Sequence, residues 1–597
     1  MTFLSAIKRE FTYLQNVTRV LKAIKNVDPQ ANNLVPDDLE RLVDKHKDNI
    51  AFLDETKTLT YKEFDGYANR VAAWAIAQGC KPGDTVAVFL QNRVEYVAIW
   101  FGLSKVGIIP ALLNFQLAGP ALAHCLNISN AKLLILDHDM KAAWNAAKPD
   151  IKEPLKTFVA FGEAKDYPNF NSAIAECSPE RPDRSARAHI KAGDQCMKMF
   201  TSGTTGLPKA AKVTHVRAQN YLRGFAAGAN TKPTDRMMMV LPLYHATGGL
   251  CGVGAAITNG GAVIIRPKFS ASKFWQETVD FEATLFMYVG ELCRFLLSTP
   301  PNPYETKHKI RWIIGNGLRP EVWSDFVARF NIPHVIEFYG ATEGNVSLIN
   351  IDGPIGAVGR VPNYLKSRFN CDIIQYDVET AINTRSSDGF CMQTQNGQVG
   401  ELIGEIRTDS ARFRFDGYET KEATQKKILR NVFQKDDAWF RTGDLMQRDK
   451  LGYYYFIDRV GDTFRWRAEN VATGEVAAIL SKFKGIIQAN VYGVEVQGYD
   501  GRAGMAALVC EKDIDLKNLH THIKDSLPHY ARPIFIRLSA ESDTTSTFKF
   551  KKTNLVKAGF NPENISEPVF VIDESRETYI PLGQDLYEKI ITGGTRL

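Results

Sequence analysis

The sequence predicts an α/β protein: a large N-terminal body of mixed sheets and helices, followed by a small C-terminal α+β domain. Three observations predict it. Short apolar runs of strand length alternate with helical stretches from about residue 59 to residue 338, the rhythm of a parallel sheet with crossover helices. Three of these runs lead straight into polar, glycine-rich loops, as the ligand-bearing strand ends of open α/β sheets do. After the charged, glycine-containing break Asp458-Arg459-Val460-Gly461-Asp462, a second and shorter βα pattern begins.

The totals fit that class. Hydrophobic residues make up 44% and charged residues 23% of the 597, which is a soluble globular composition with a sizeable core. A net charge of +6 is too dilute on so long a chain to call for nucleic acid. The nine cysteines are scattered without a C-x-x-C pair or zinc spacing, which fits free, mostly buried thiols in a reducing cytosol. The longest apolar stretch, residues 97–113, is interrupted by Ser104 and Lys105, so no uncharged run is long enough to span a bilayer.

Taken in order, residues 3–27 repeat apolar side chains at Phe3, Ile7, Phe11, Leu14, Val17, Leu21 and Ile24, the spacing of one helical face. Lys8, Arg9, Arg19, Lys22 and Lys25 stand against Glu10 alone. Two roles stay open: contact with an anionic membrane surface, or docking on the protein's own body. Strands are expected at 85–90 and 132–136, with helices after Leu59-Thr60-Tyr61 and from Val94. Further strands are expected at 237–241, 262–265, 283–288, 311–314 and 334–338. The loops that follow three of them are Pro242-Leu243-Tyr244-His245-Ala246-Thr247-Gly248-Gly249, Gly315-Asn316-Gly317-Leu318-Arg319 and Tyr339-Gly340-Ala341-Thr342-Glu343-Gly344. Beyond the break at 458–462, helices at 474–482 and 516–527 and strands at 489–496, 505–510 and 534–538 make up the small domain.

The most informative stretch is Thr201-Ser202-Gly203-Thr204-Thr205-Gly206-Leu207-Pro208-Lys209. It follows the apolar strand 196–200 and precedes a helical stretch at 213–225, so a strand–loop–helix turn is expected. Glycines let backbone N–H groups point inward, hydroxyls donate, and an ammonium adds a compact positive charge. The loop therefore suits a polyanion. It is not a Walker A motif, because Lys209 is followed by Ala210. With Glu343 as a magnesium ligand and Tyr339 as an aromatic face for a base, the set points to a nucleotide site. Asp444, in Trp439-Phe440-Arg441-Thr442-Gly443-Asp444-Leu445, suits ribose hydroxyls or, equally, a β-turn.

These motifs carry a resemblance. TSGTTGLPKA (201–210), YGATEG (339–344), RTGDL (441–445) and DRVGD (458–462), in that order and with a late lysine, resemble the adenylate-forming enzymes: acyl-CoA synthetases, peptide-synthetase adenylation domains and luciferases. LPLYH (241–245), GNGLRP (315–320), DTFRWRAENV (462–471) and TFK (547–549) are similar to the branch of fatty acid transport proteins and very-long-chain acyl-CoA synthetases. The similarity spans nearly the whole chain and is weakest before residue 45.

The resemblance implies an adenylate-forming body that binds ATP and fatty acid at 45–458 behind an amphipathic segment at 1–44. A hinge at 459–462 then leads to a mobile small domain at 463–597. It implies that a fatty acid and ATP give acyl-adenylate and pyrophosphate, with magnesium as cofactor, and that CoA then displaces AMP. By position, Thr201, Ser202, Gly203, Thr204, Thr205, Gly206 and Lys209 grip the pyrophosphate end. Gly315, Asn316, Gly317, Leu318, Tyr339, Gly340 and Ala341 border adenine and the acyl pocket, Thr342 and Glu343 meet the α-phosphate and magnesium, and His245 lines the way between pocket and CoA. Asp444 and Arg459 take the ribose, and Lys549 reaches the carboxylate and α-phosphate. Gly340 stands where shorter-chain relatives place a bulky aromatic, which leaves room for a longer chain. Gly461 is the expected pivot. Ala468 stands where relatives usually have glycine beside the pantetheine tunnel, which keeps a fatty acyl-AMP ligase with another acceptor open beside the acyl-CoA synthetase. A lipid-import protein with a vestigial nucleotide site is the third reading. A cytoplasmic site, at the inner face of a membrane where residues 3–27 touch it, is the expected location, and oligomer formation is left open.

Overall fold

The computed structural model describes the chain except residues 1–2, 202–206, 379, 409, 411, 468, 500, 512–513, 543–551 and 596, together with the side chains of residues 3–6 and 8. Ser202 to Gly206, Ala468 and Lys549 thus lie outside the described residues. The chain forms two compact units, Met1–Gly359 with Ile406–Ile428, and Arg360–Glu405 with Leu429–Leu597. These units divide the chain elsewhere than at the expected boundary after residue 458.

In the first unit, described strands build two large sheets. One runs in the order Ser347–Asn350, Val335–Gly340, Trp312–Asn316, Leu285–Val289, Arg236–Met239, Ala262–Ile265, Ile50–Leu53 and Thr58–Thr60. Its inner strands are all parallel and its two edge strands antiparallel. The parallel strands are buried on both faces, which explains why they read as unbroken apolar runs. The second sheet runs Lys156–Ala160, Ala131–Asp137, Thr85–Phe89, Ile109–Leu112, Gln195–Thr201 and Lys209–Thr214. The helix Tyr61–Ala77 starts on a capping box, in which Thr60 accepts from Glu63 N and Glu63 accepts from Thr60 N.

The expected strand–loop–helix turn is corrected here. Lys209–Thr214 is a strand, paired antiparallel with Gln195–Thr201 so that Thr201 faces Lys209 and Phe200 faces Ala210. The helix begins only at His215, where Thr214 accepts from Arg217 N at 3.3 Å. Ala210, Ala211 and Val213 are buried, and a six-residue stretch that mixes them with Lys209, Lys212 and Thr214 fits a strand as well as a helical turn. Thr214 as N-cap decides where the helix starts.

Ser104 and Lys105, which interrupt the long apolar run, are both buried. Lys105 Nζ is met by Asp65 at 2.7 Å, Asn69 at 2.6 Å and Glu40 at 3.0 Å, so its charge is paired rather than stranded. Among the described residues no helix is long and apolar enough to cross a membrane. All nine cysteines are free, with Cys177 and Cys510 half-buried and the rest buried.

The N-terminal helix, Phe3–Ile24, docks on the body. Tyr13, Asn16 and Val17 are buried. Arg19 donates to the carbonyls of Ala227 and Gly228, at the C-terminal end of the helix His215–Gly228, where a cation also favours the helix dipole. The opposite face leaves Ile7, Phe11 and Leu14 exposed.

In the second unit, Cys371–Ile374, Val399–Glu405, Ala438–Arg448 and Tyr453–Arg459 lie side by side and antiparallel. A five-stranded sheet, Ile486–Val494, Ala503–Cys510, Phe535–Leu538, Val569–Asp573 and Thr578–Pro581, forms the small domain with the helices Thr473–Leu480 and Leu516–Ser526. Trp466, Leu480, Met505, Leu519, Phe535 and Ile536 lie in its core.

Candidate functional site

In the first unit the three loops singled out above leave the C-terminal ends of parallel strands of one sheet, and so open on one edge of it. The first is fixed by Asn92, which accepts from Leu243 N and donates to Leu241 O, each at 2.9 Å. His245, half-buried, then leads into a π-helical turn at Thr247–Gly252, an irregularity frequent at functional sites. Its ring lies 4.5 Å from that of Tyr244.

The second loop, Gly315 to Leu318, rests on an acid that the sequence reading passed over. Glu337 is buried in the strand Val335–Gly340. Its carboxylate accepts from Gly317 N and, at 3.2 Å, from Leu318 N, and its other oxygen accepts from the hydroxyl of Tyr288. Burial pushes the Glu337 carboxyl up to about 8, against the three donors, which favour its charged form. Gly315 is required by close approach: a Cβ there would lie 2.2 Å from the carbonyl oxygen of Tyr288.

The third loop carries Glu343. Arg217 donates to the carbonyl of Thr342 at 3.2 Å and to that of Gly344, and Tyr221 donates to that of Ala341 at 3.3 Å. The side chain of Glu343 accepts at 2.7 Å from the hydroxyl of Tyr418, a second residue that sequence reasoning missed. Lys209 Nζ stands 5.6 Å from the centre of the same ring. Lys209 of the hairpin and Glu343 of the third loop thus meet on one phenol. Burial first, and the charge of Glu343 second, hold that phenol well above its ordinary pKa, so it stays protonated and donates. No described residue bonds Glu343 Oε2, and among the described residues no three metal-ligating side chains gather. One carboxylate with a free oxygen, beside bound phosphates, is the donor set magnesium takes in nucleotide sites. The residues present fit that ion. Tyr339 is half-buried, and Gly340 is exposed: a Cβ there would make ordinary contacts, 3.7 Å to Val346 O and 3.9 Å to Ser347 Oγ.

In the second unit Asp444 lies within the strand Ala438–Arg448, not in a turn, and faces Arg459 across the sheet with Nε 4.0 Å from Oδ1. Arg441 of the same motif is committed elsewhere, to the buried Glu401 at 2.8 Å. Gly461 has φ +92°, a backbone state that favours glycine.

Residues 39–383 match the family described as AMP-binding enzyme, and the chain belongs to that family. It is similar to long-chain fatty acid transport protein 1 of Mus musculus, with 39% identity over 576 residues, 94% of this chain and 88% of the relative. It is also similar to long-chain fatty acid transport protein 2 of Rattus norvegicus, with 37% identity over 590 residues, 98% of this chain and 94% of the relative. Among solved structures it resembles the anthranilate CoA ligase AuaEII in complex with anthranoyl-AMP, with a TM-score of 0.74 and 19% identity over 90% of this chain and 98% of that one. The Mycobacterium tuberculosis fatty acyl CoA synthetase gives a TM-score of 0.62 and 22% identity over 88% and 98%. At those identities the structural likeness carries the fold.

Proposed function

We propose that this protein is an AMP-forming ligase that joins long- or very-long-chain fatty acids to coenzyme A at the expense of ATP. The observation that carries the reading is the meeting of phosphate hairpin and acid loop at Tyr418, in an AMP-binding enzyme whose relatives are named for long-chain fatty acids.

A carboxylate is nucleophilic enough at neutral pH to need no general base, so the work is electrostatic. An oxygen of the fatty acid forms a bond to the α-phosphorus, and the bond from that phosphorus to the pyrophosphate oxygen breaks. Lys209 and the hydroxyls and N–H groups of 201–206 hold the pyrophosphate as charge builds on it. Glu343 and Thr342 border the α-phosphate, and bound magnesium supplies charge neutralisation on the phosphates. Gly315 to Leu318 and Tyr339 flank the adenine, Asp444 and Arg459 take the ribose hydroxyls, and Lys549 meets the carboxylate and α-phosphate. In the second step the CoA sulfur bonds to the acyl carbon, AMP leaves with its oxygen, and the thiol proton passes to solvent. His245 lines the approach, and the small domain turns about Gly461 between the steps.

The absence of a side chain at the exposed Gly340 supports a long acyl chain. A chain-length series scored for pyrophosphate and acyl-CoA tests this. Wild type is expected to prefer long acids and to form both products in equal amounts, and Gly340→Trp to shift the preference to shorter acids. Pyrophosphate without acyl-CoA would favour the acyl-AMP ligase that Ala468 keeps open. No acid-dependent pyrophosphate would favour the lipid-import reading.

The docked N-terminal helix keeps a second role. Ile7 (50% exposed), Phe11 (68%) and Leu14 (43%) line its outer face at helical spacing, with Lys22 and Lys25 exposed further along. This combination suits an anionic lipid surface. Because Arg19 anchors the helix, point changes test this better than deletion. The triple variant Ile7→Ser, Phe11→Ser, Leu14→Ser is expected to lose co-flotation with anionic vesicles and keep its activity on a soluble acid. Undiminished flotation contradicts the lipid contact.

A further inference from the structure

Tyr418 belongs to Phe415-Asp416-Gly417-Tyr418-Glu419, a stretch outside every motif read from the sequence. It runs beside the second strand of the phosphate hairpin. Lys212 N donates to Gly417 O at 3.1 Å, Glu419 N donates to Ala210 O at 3.0 Å, and Ala211 bridges Tyr418. Side chains fix it on both sides of the tyrosine: Glu419 accepts from Gln195 at 2.8 Å, and Asp416 lies 3.5 Å from Arg217, the arginine that holds the backbone of the acid loop. Tyr418 itself is 5% exposed, so its ring has one well-defined place.

From that place it serves two charges of opposite sign. Its hydroxyl donates to Glu343 Oε1, and its ring face lies near the Lys209 ammonium. No ion pair joins Lys209 to Glu343 among the described residues. A neutral phenol between a lysine and a carboxylate keeps the two apart, whereas a direct ion pair would leave each less able to meet a ligand.

We propose that Tyr418 is a positioning residue of this site: holding Glu343 on its hydroxyl and Lys209 on its ring, it sets the acid that meets the metal ion and the cation that meets the phosphates. The proposal rests on the nucleotide-binding reading above.

Tyr418→Phe removes the hydroxyl and keeps the ring. Calorimetric titration of the full chain with ATP, without fatty acid, reads the effect apart from turnover. With magnesium present, affinity is expected to fall about tenfold, the worth of one charge-assisted hydrogen bond (about 1.4 kcal/mol). With EDTA it is expected to change by less than about twofold. The magnesium concentration that half-saturates pyrophosphate release is expected to rise by the same factor. On a Glu343→Gln background the Tyr418→Phe effect is expected to vanish, since the two residues act as one unit. Equal weakening with and without magnesium, no weakening, or additive effects in the double variant would overturn the proposal. A wild-type chain that binds no ATP would instead overturn the nucleotide reading on which it rests.

Discussion

Lys549→Ala is expected to slow acyl-adenylate formation by about 10²–10³-fold, the cost of one charge partner of the transition state, while acyl-adenylate supplied ready-made is expected still to be converted to acyl-CoA. The asymmetry follows from where charge develops. In the first step two anions, the carboxylate and the α-phosphate, must be brought together, and an ammonium that touches both lowers that barrier. In the second step a thiol attacks a neutral acyl carbon, and no such pair of anions exists. Acid-dependent pyrophosphate release and acyl-CoA formation from synthetic acyl-adenylate measure the two steps separately. Equal loss in both would remove Lys549 from its assigned role. Lys549 lies outside the described residues, but Lys552, three positions on, donates to Thr473 Oγ1 at 2.6 Å and pairs with Asp462 at 3.1 Å. That ties the C-terminal end of its segment to the expected hinge.

Glu343→Gln is the second large effect: about 10²-fold slower pyrophosphate formation with a raised magnesium requirement. The amide still accepts from Tyr418, so the loop keeps its place and the lost quantity is the negative charge on the free oxygen. A magnesium titration of the variant checks this. An unchanged requirement at unchanged rate would mean that Glu343 does not meet the ion.

The sheets were legible because parallel strands buried on both faces write themselves as apolar runs. The strand Ala262–Ile265 lies where the run 262–265 predicts it, and the three glycine-rich loops leave the strand ends that the sheet rule selects. The phosphate hairpin was not legible as a hairpin, since Lys209–Thr214 is too short for its period to separate strand from helix. Tyr418 was hidden by distance: its partner Glu343 is 75 positions away, and nothing local marks the pairing. Glu337 did leave a signal, an acid inside an otherwise apolar strand segment, which a buried strand tolerates only where donors await it. The N-terminal helix shows the limit of periodicity. It predicted the stripe, while Tyr13, Val17 and Arg19 lie on the body and Phe11 stays in the open, a division that periodicity alone does not give.

In the proposed reaction a fatty acid is activated by bonding its own oxygen to the α-phosphorus of ATP. The protein, incubated with a long-chain acid labelled with heavy oxygen in both carboxylate positions, ATP, magnesium and CoA, tests it by mass spectrometry of the products. AMP carrying one labelled oxygen and acyl-CoA carrying the other are the expected products. Unlabelled AMP, or label in inorganic phosphate beside ADP, would contradict that reaction.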